Sequence, residues 1–147
     1  MNDGIRLVDF VKSKEGFRSK PYLDAVGVPT IGYGNTYYTD GTRVAMTDVS
    51  ISKAEAEILL AHSLNDFLDY VIMYEHDNGY DWNNKQRAAL TSWCYNLGKS
   101  RLRRLTNNGT RDNATIADKM RLYHKAGGKV LKGLVIRRNE EADHFLS

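Results

Sequence analysis

Cysteine is nearly missing from this chain: Cys94 stands alone among 147 residues. No internal disulfide can form, so the fold does not depend on an oxidising compartment. The four histidines show no ligand spacing. Without a histidine–cysteine cluster, a structural zinc site is excluded. Long apolar runs are missing too. No stretch approaches the length of a membrane span, and Asp3, Arg6 and Asp9 interrupt what would have to be the apolar core of a secretion signal. There are no internal repeats, low-complexity tracts or linkers. What is left, with 41% hydrophobic and 27% charged residues, is a globular chain of one-domain length. It is long enough for a proper core and too short for an added binding module.

Charge is present but uneven. Residues 1–97 carry nine Lys or Arg against thirteen Asp or Glu, a balance of −4, whereas residues 98–147 carry twelve against five, a balance of +7. A basic half suits a polyanionic partner, either peptidoglycan with its attached acidic polymers or nucleic acid. For nucleic acid the candidate contacts are Arg101, Arg103, Arg104, Arg137 and Arg138. Solvated helix faces explain such residues more simply, and no reading helix or stacking motif accompanies them. No nucleic-acid partner is expected.

The chemistry concentrates in residues 15–35. Apolar residues at Ile5, Val8 and Val11, with Leu7 beside them, predict an amphipathic helix ending near Lys14. Glu15 falls on its apolar face, just before Gly16 at the helix end. Partial desolvation and the negative end of the helix dipole favour a neutral carboxyl there, the state of a proton donor near neutral pH. Asp24 follows nine residues later in an expected hairpin between Tyr22 and Pro29, more solvated and ionised. In the next strand, alternation sets Thr30, Gly32 and Gly34 on one face, and Ile31, Tyr33 and Asn35 on the other. A face with so little side chain lets a ligand approach the backbone, which makes Gly32 and Gly34 candidate substrate contacts. Glu15 as acid, Asp24 as base or water-holder and Thr30 as a second hold on the water form a glycosidase layout.

These residues also carry a resemblance. Glu15-Gly16, Asp24 and Thr30-Ile31-Gly32-Tyr33-Gly34, at this spacing, resemble the catalytic segment of the phage-type lysozyme (endolysin) family. Ala126-Gly-Gly-Lys-Val-Leu-Lys-Gly-Leu134-Val-Ile-Arg-Arg138-Asn-Glu-Glu141 is similar to that family's C-terminal signature. Tyr95-Asn96-Leu97-Gly98 is similar to its aromatic-polar-x-Gly helix end. The three matches fall in the family's order and span nearly the whole chain.

The resemblance implies an α+β, mainly helical, lysozyme-like fold: a single domain over residues 1–147. In it a small β-sheet lobe (about 15–50) and a larger helical lobe (about 83–147, with an N-terminal helix at 3–14) are joined by a long helix (about 52–75), with the cleft between the lobes. It implies a glycoside hydrolase, an N-acetylmuramidase cutting the β-1,4 bond between N-acetylmuramic acid and N-acetylglucosamine, with Glu15 as general acid, Asp24 and Thr30 holding the water, and inversion at C1. Tyr95 and Asn96 would line the cleft floor. No cofactor or metal is needed, and bacterial peptidoglycan is the partner. The enzyme would be made in the host cytoplasm, would not insert into a membrane, and would reach the wall after a holin releases it. Nothing demands more than a monomer. Two positions depart from the family pattern: Asn35 stands where histidine is common and so cannot form a charged pair, and Tyr123 stands where tryptophan is common.

Elsewhere, Thr39-Asp40-Gly41-Thr42 predicts a turn completing a sheet of three strands. Ser52-Lys-Ala-Glu55 is a capping box opening the long helix. Asn83 and Gln86 can cap the next helix, which stops at Gly98. A short basic helix is expected over residues 99–108, another over 114–125 broken at Gly127-Gly128, and a last one over 134–146. Trp82, Trp93 and Cys94 read as packing residues, and Arg137 and Arg138 as ion-paired with Glu140 and Glu141. Two other readings stay open. A lytic transglycosylase also uses one glutamic acid but yields an anhydro product, and a basic wall- or nucleic-acid-binding protein would lack catalysis. The Asp24–Thr30 pair argues against both.

Overall fold

The computed structural model describes residues 6–126 and 128–147. Expectations that fall on Asp3, Ile5 and Gly127 therefore lie outside the described residues. The chain divides into two units, one reaching to Asp66 and the other covering Phe67–Ser147.

The first unit begins with α1 (Leu7–Lys12), six residues where a longer helix was expected. A helix this short does not stand alone in water. Burial of Phe10 and Val11 holds it, together with a 2.5 Å pair from Lys12 Nζ to Glu57. α1 and the residues that follow it to Asp66 fall in this one unit. Two strands follow, β1 (Arg18–Leu23) and β2 (Pro29–Gly32), antiparallel, with Tyr22 opposite Thr30 and Arg18 opposite Gly32. The expected third strand is reduced to one isolated bridge, Tyr37 with Arg43. Side chains and loops take its place. Asp48 accepts from the Tyr38 hydroxyl at 2.7 Å and the Ala45 amide at 2.8 Å, while the Ile51 amide donates to the Ser19 carbonyl of β1.

The alternation expected over residues 30–35 also ends early. Gly32 (φ +67°) and Gly34 (φ +90°) take left-handed conformations open to glycine. They turn the chain so that Ile31 and Asn35 exchange both backbone hydrogen bonds at 2.9 Å. Gly32 is buried, and a Cβ there would meet Ala56 Cβ at 3.2 Å. Its missing side chain makes room for the next helix. That helix is α2 (Lys53–Asp77), unbroken over 25 residues and opened by the expected box, with Glu55 N–H on Ser52 Oγ and Ser52 N–H on Glu55, both at 3.1 Å. Asn35 is buried against it and donates to the Leu59 carbonyl and, at 2.6 Å, to Ser63 Oγ. Neutral hydrogen bonds thus tie down a position where a histidine could have carried charge.

The second unit is helical: the end of α2, then α3 (Asn84–Leu97), α4 (Arg101–Leu105), α5 (Asn113–Met120) and α6 (Lys132–Leu146). The Asn83–Gln86 capping box forms, and Gly98 (φ +100°) ends α3. Where α5 was expected to run to residue 125, it stops at Met120. Lys125–Ala126 (β3) pairs instead with Lys129–Val130 (β4). The core gathers Trp82, Leu90, Trp93, Leu102, Leu105, Ile116, Met120 and Phe145. Tyr123 meets Trp93 edge-on at 4.9 Å. Cys94 is fully buried here, and burial pushes its thiol up to about 12.

Candidate active site

Glu15 sits one bend past α1 and is half-buried; its amide closes the last helical turn on the Val11 carbonyl at 3.1 Å. Asp24 heads the β1–β2 turn. Its Oδ1 accepts from the Val26 and Val28 amides, each at 2.9 Å, and its amide bonds the Val28 carbonyl. That is the local use an aspartate finds in a turn. It also fixes the carboxylate while leaving Oδ2 with no hydrogen bond among the described residues. Thr30 is 3% exposed, and its hydroxyl donates to the Val28 carbonyl at 2.8 Å. With its proton so committed, Thr30 Oγ1 has lone pairs to offer a water, but no donor.

Tyr22, which sequence reasoning missed, belongs to the same hairpin as Asp24 and Thr30. It lies opposite Thr30 in the hairpin register. Burial pushes its phenol up, the charges of Glu15 and Asp24 push the same way, and Arg18 opposes them. The Arg18 guanidinium stacks 4.4 Å from its ring centroid. No local sequence pattern singles Tyr22 out; only the hairpin register sets it opposite Thr30. An open recess of about 500 Å³ is lined by Phe17, Arg18, Ser19, Lys20 and Pro21, with none of the three candidate catalytic residues on its wall.

Of the candidate substrate contacts, Gly32 packs under Ala56, as described, and Gly34 is half-buried in the turn. In the helical unit Tyr95 is half-buried, edge-on to Phe67 at 5.4 Å. Asn96 is exposed and accepts from Arg138 Nη2 at 2.9 Å. Among the described residues no group of three or more His, Cys, Asp or Glu could hold a metal ion, and no helix is long and apolar enough to cross a membrane.

The model of the family described as phage lysozyme matches residues 12–141, a span that includes Glu15, Asp24, Thr30, Tyr95 and Asn96. The chain belongs to the phage lysozyme family. It is 35% identical over 137 residues to the SAR-endolysin of Bacteriophage PS119, with 88% of this chain and 74% of that protein covered. It is 34% identical over 143 residues to the endolysin of Salmonella phage P22, with 93% and 92% covered. The solved muramidase domain of SpmX from Asticaccaulis excentricus matches with a TM-score of 0.77 at 26% identity, over 96% of this chain and 95% of that one. The fold is that of a phage lysozyme, α+β and mainly helical. A phage lysozyme is a peptidoglycan-degrading enzyme, and cell-wall breakdown is the activity of this chain at that level.

Proposed function

We propose that the chain is an N-acetylmuramidase, one lysozyme domain that hydrolyses the β-1,4 bond between N-acetylmuramic acid and N-acetylglucosamine. The observation that carries this reading is the Asp24–Thr30 hairpin, in which two amides fix the Asp24 carboxylate and the Thr30 hydroxyl proton is committed to the Val28 carbonyl. The likeness to the muramidase domain of SpmX points the same way. Glu15 gives its proton to the glycosidic oxygen as the C1–O bond breaks and C1 takes on oxocarbenium character. A water held by Asp24 Oδ2 and the Thr30 lone pairs gives a proton to Asp24 as its oxygen bonds C1. Attack from the face opposite the leaving group inverts that carbon. Proton exchange with solvent restores both carboxyl groups.

A lytic transglycosylase would need no such water, because the sugar's own 6-hydroxyl attacks. Purified peptidoglycan treated with wild type and with Glu15→Gln separates these readings. New reducing ends at muramic acid from wild type alone are expected; anhydro ends would move the answer to a transglycosylase, and clearing by Glu15→Gln would remove Glu15 from the mechanism. We further assign the working form to a monomer that reaches the wall through a holin. Sedimentation as a dimer, or host lysis without any holin, would refute those assignments.

A further inference from the structure

The recess along β1 takes no part in the proposed chemistry, yet it is built with charge. Its lining residues run from Phe17 to Pro21. Arg18 and Lys20 stand two apart on one exposed face of that strand. Lys53, the exposed first residue of α2, brings a third cation, with Nζ 5.8 Å from the centroid of the Phe17 ring. A 2.9 Å bond from the Ile51 amide to the Ser19 carbonyl holds the approach to α2 against the strand. Phe17 is half-buried and rests on the Tyr33 ring at 5.5 Å, which gives the recess an apolar wall. Among the described residues none of these three cations has a carboxylate partner. The two acidic residues in the first turns of α2 are already engaged: Glu57 holds Lys12, and Glu55 accepts from the Ser52 amide. Net charge does not account for the grouping, because residues 1–97 carry a balance of −4.

We infer that this recess binds the phosphodiester backbone of an acidic polyol-phosphate polymer of the bacterial wall. A lone carboxylate would answer one cation and leave two, whereas a polymer with one charge per repeat answers them in turn. Successive phosphates of an extended glycerol phosphate chain stand about 6–7 Å apart, which matches the roughly 6.6 Å between alternate strand positions such as Arg18 and Lys20. Stacking on Tyr22 occupies the face of the Arg18 guanidinium and leaves its N–H edge for paired phosphate oxygens. Phe17 offers its ring to the polyol carbons. The inference rests on cell-wall breakdown and not on which bond is cut. The plainer account is that these are solvated surface cations, which attract any polyanion through overall charge. The two accounts part when equal charge is removed at the recess and far from it.

The test measures binding of poly(glycerol phosphate) to the full chain by calorimetry, at about 0.15 M salt so that long-range attraction is screened. Lys20→Gln with Lys53→Gln is compared with Arg101→Gln and Arg104→Gln on α4. All four side chains are exposed, and each pair removes two charges, so the overall charge stays equal between the variants. The recess pair is expected to weaken binding about tenfold and the α4 pair less than about twofold, with Tm unchanged in both. Poly-glutamate of matched charge should lose less than about twofold from the recess pair. Equal losses in the two variants, equal loss on poly-glutamate, or no binding by wild type overturns the inference. Should the recess pair melt early, Lys20→Gln alone carries the same comparison, with about a threefold loss expected and none refuting it. Failure of the muramidase reading shows separately, in the ends freed from polymer-free peptidoglycan.

Discussion

Glu141 and Asp24 show two opposite ways of keeping a carboxylate in a protein. Glu141 is sealed in the helical unit, with two guanidiniums and a hydroxyl closed around it. Burial pushes its carboxyl up while Arg138 and Arg137 pull it down. Asp24 sits half-buried in the hairpin unit with one oxygen fixed by two amides and the other open. A closed set of partners makes a carboxylate part of the architecture, whereas a fixed but half-open set leaves it a lone pair for chemistry. A buried ion pair need not be a net source of stability, but breaking one is costly because a charge is left behind.

The largest effect is therefore expected at the closed site. Glu141→Leu leaves Arg137 and Arg138 buried beside an apolar side chain and should cost about 3–5 kcal/mol, read as a drop of roughly ten degrees in Tm. An unchanged melt would break the contrast. Glu15→Gln should do the reverse, lowering turnover by roughly 10²–10⁴, the usual worth of a general acid, while the melt stays put.

A third carboxylate lies between these cases. Glu75 is 7% exposed and is held below its ordinary value of 4.5, first by Arg87 at 2.8 Å, with the Trp82 amide assisting and burial opposing. Its depressed folded-state value gives stability that is present above about pH 4.5 and is lost as pH falls through that lower value. Arg87→Met should cost about 2 kcal/mol at pH 7, with one acceptor left short of donors. Denaturant melts at several pH values should also show a flatter fall in stability on the acid side. A variant as acid-sensitive as wild type would show that Arg87 does not set the response. The smallest change is expected at Asn35→Leu, about 1 kcal/mol for two neutral hydrogen bonds to α2, with the same loss at pH 5 and pH 8.

What was legible in the sequence was local. The Ser52–Glu55 and Asn83–Gln86 boxes were readable because a cap needs only residues three apart, and both form. Gly98 as the end of α3 was readable for the same reason. The pairing of Arg137 and Arg138 with Glu141 follows from one helix turn of spacing. The sheet was over-read because period-two alternation cannot reveal that Gly32 and Gly34 take positive φ and reverse the chain. Residues 121–125 look helical in isolation, yet Lys125 and Ala126 find backbone partners in Lys129 and Val130. At the site, Glu15, Asp24 and Thr30 stood out by residue type and spacing, while Tyr22 emerged only with the register that sets it opposite Thr30. The Arg138–Asn96 contact joins residues 42 apart, beyond any local pattern.

Cys94 gives the helical unit a built-in clock. Its thiol is closed off and pushed up to about 12 by burial, so at neutral pH a thiol-selective reagent has no thiolate to meet until the surrounding core opens. The rate at which a large excess of reagent consumes that one sulfur then counts opening events, with no engineered probe.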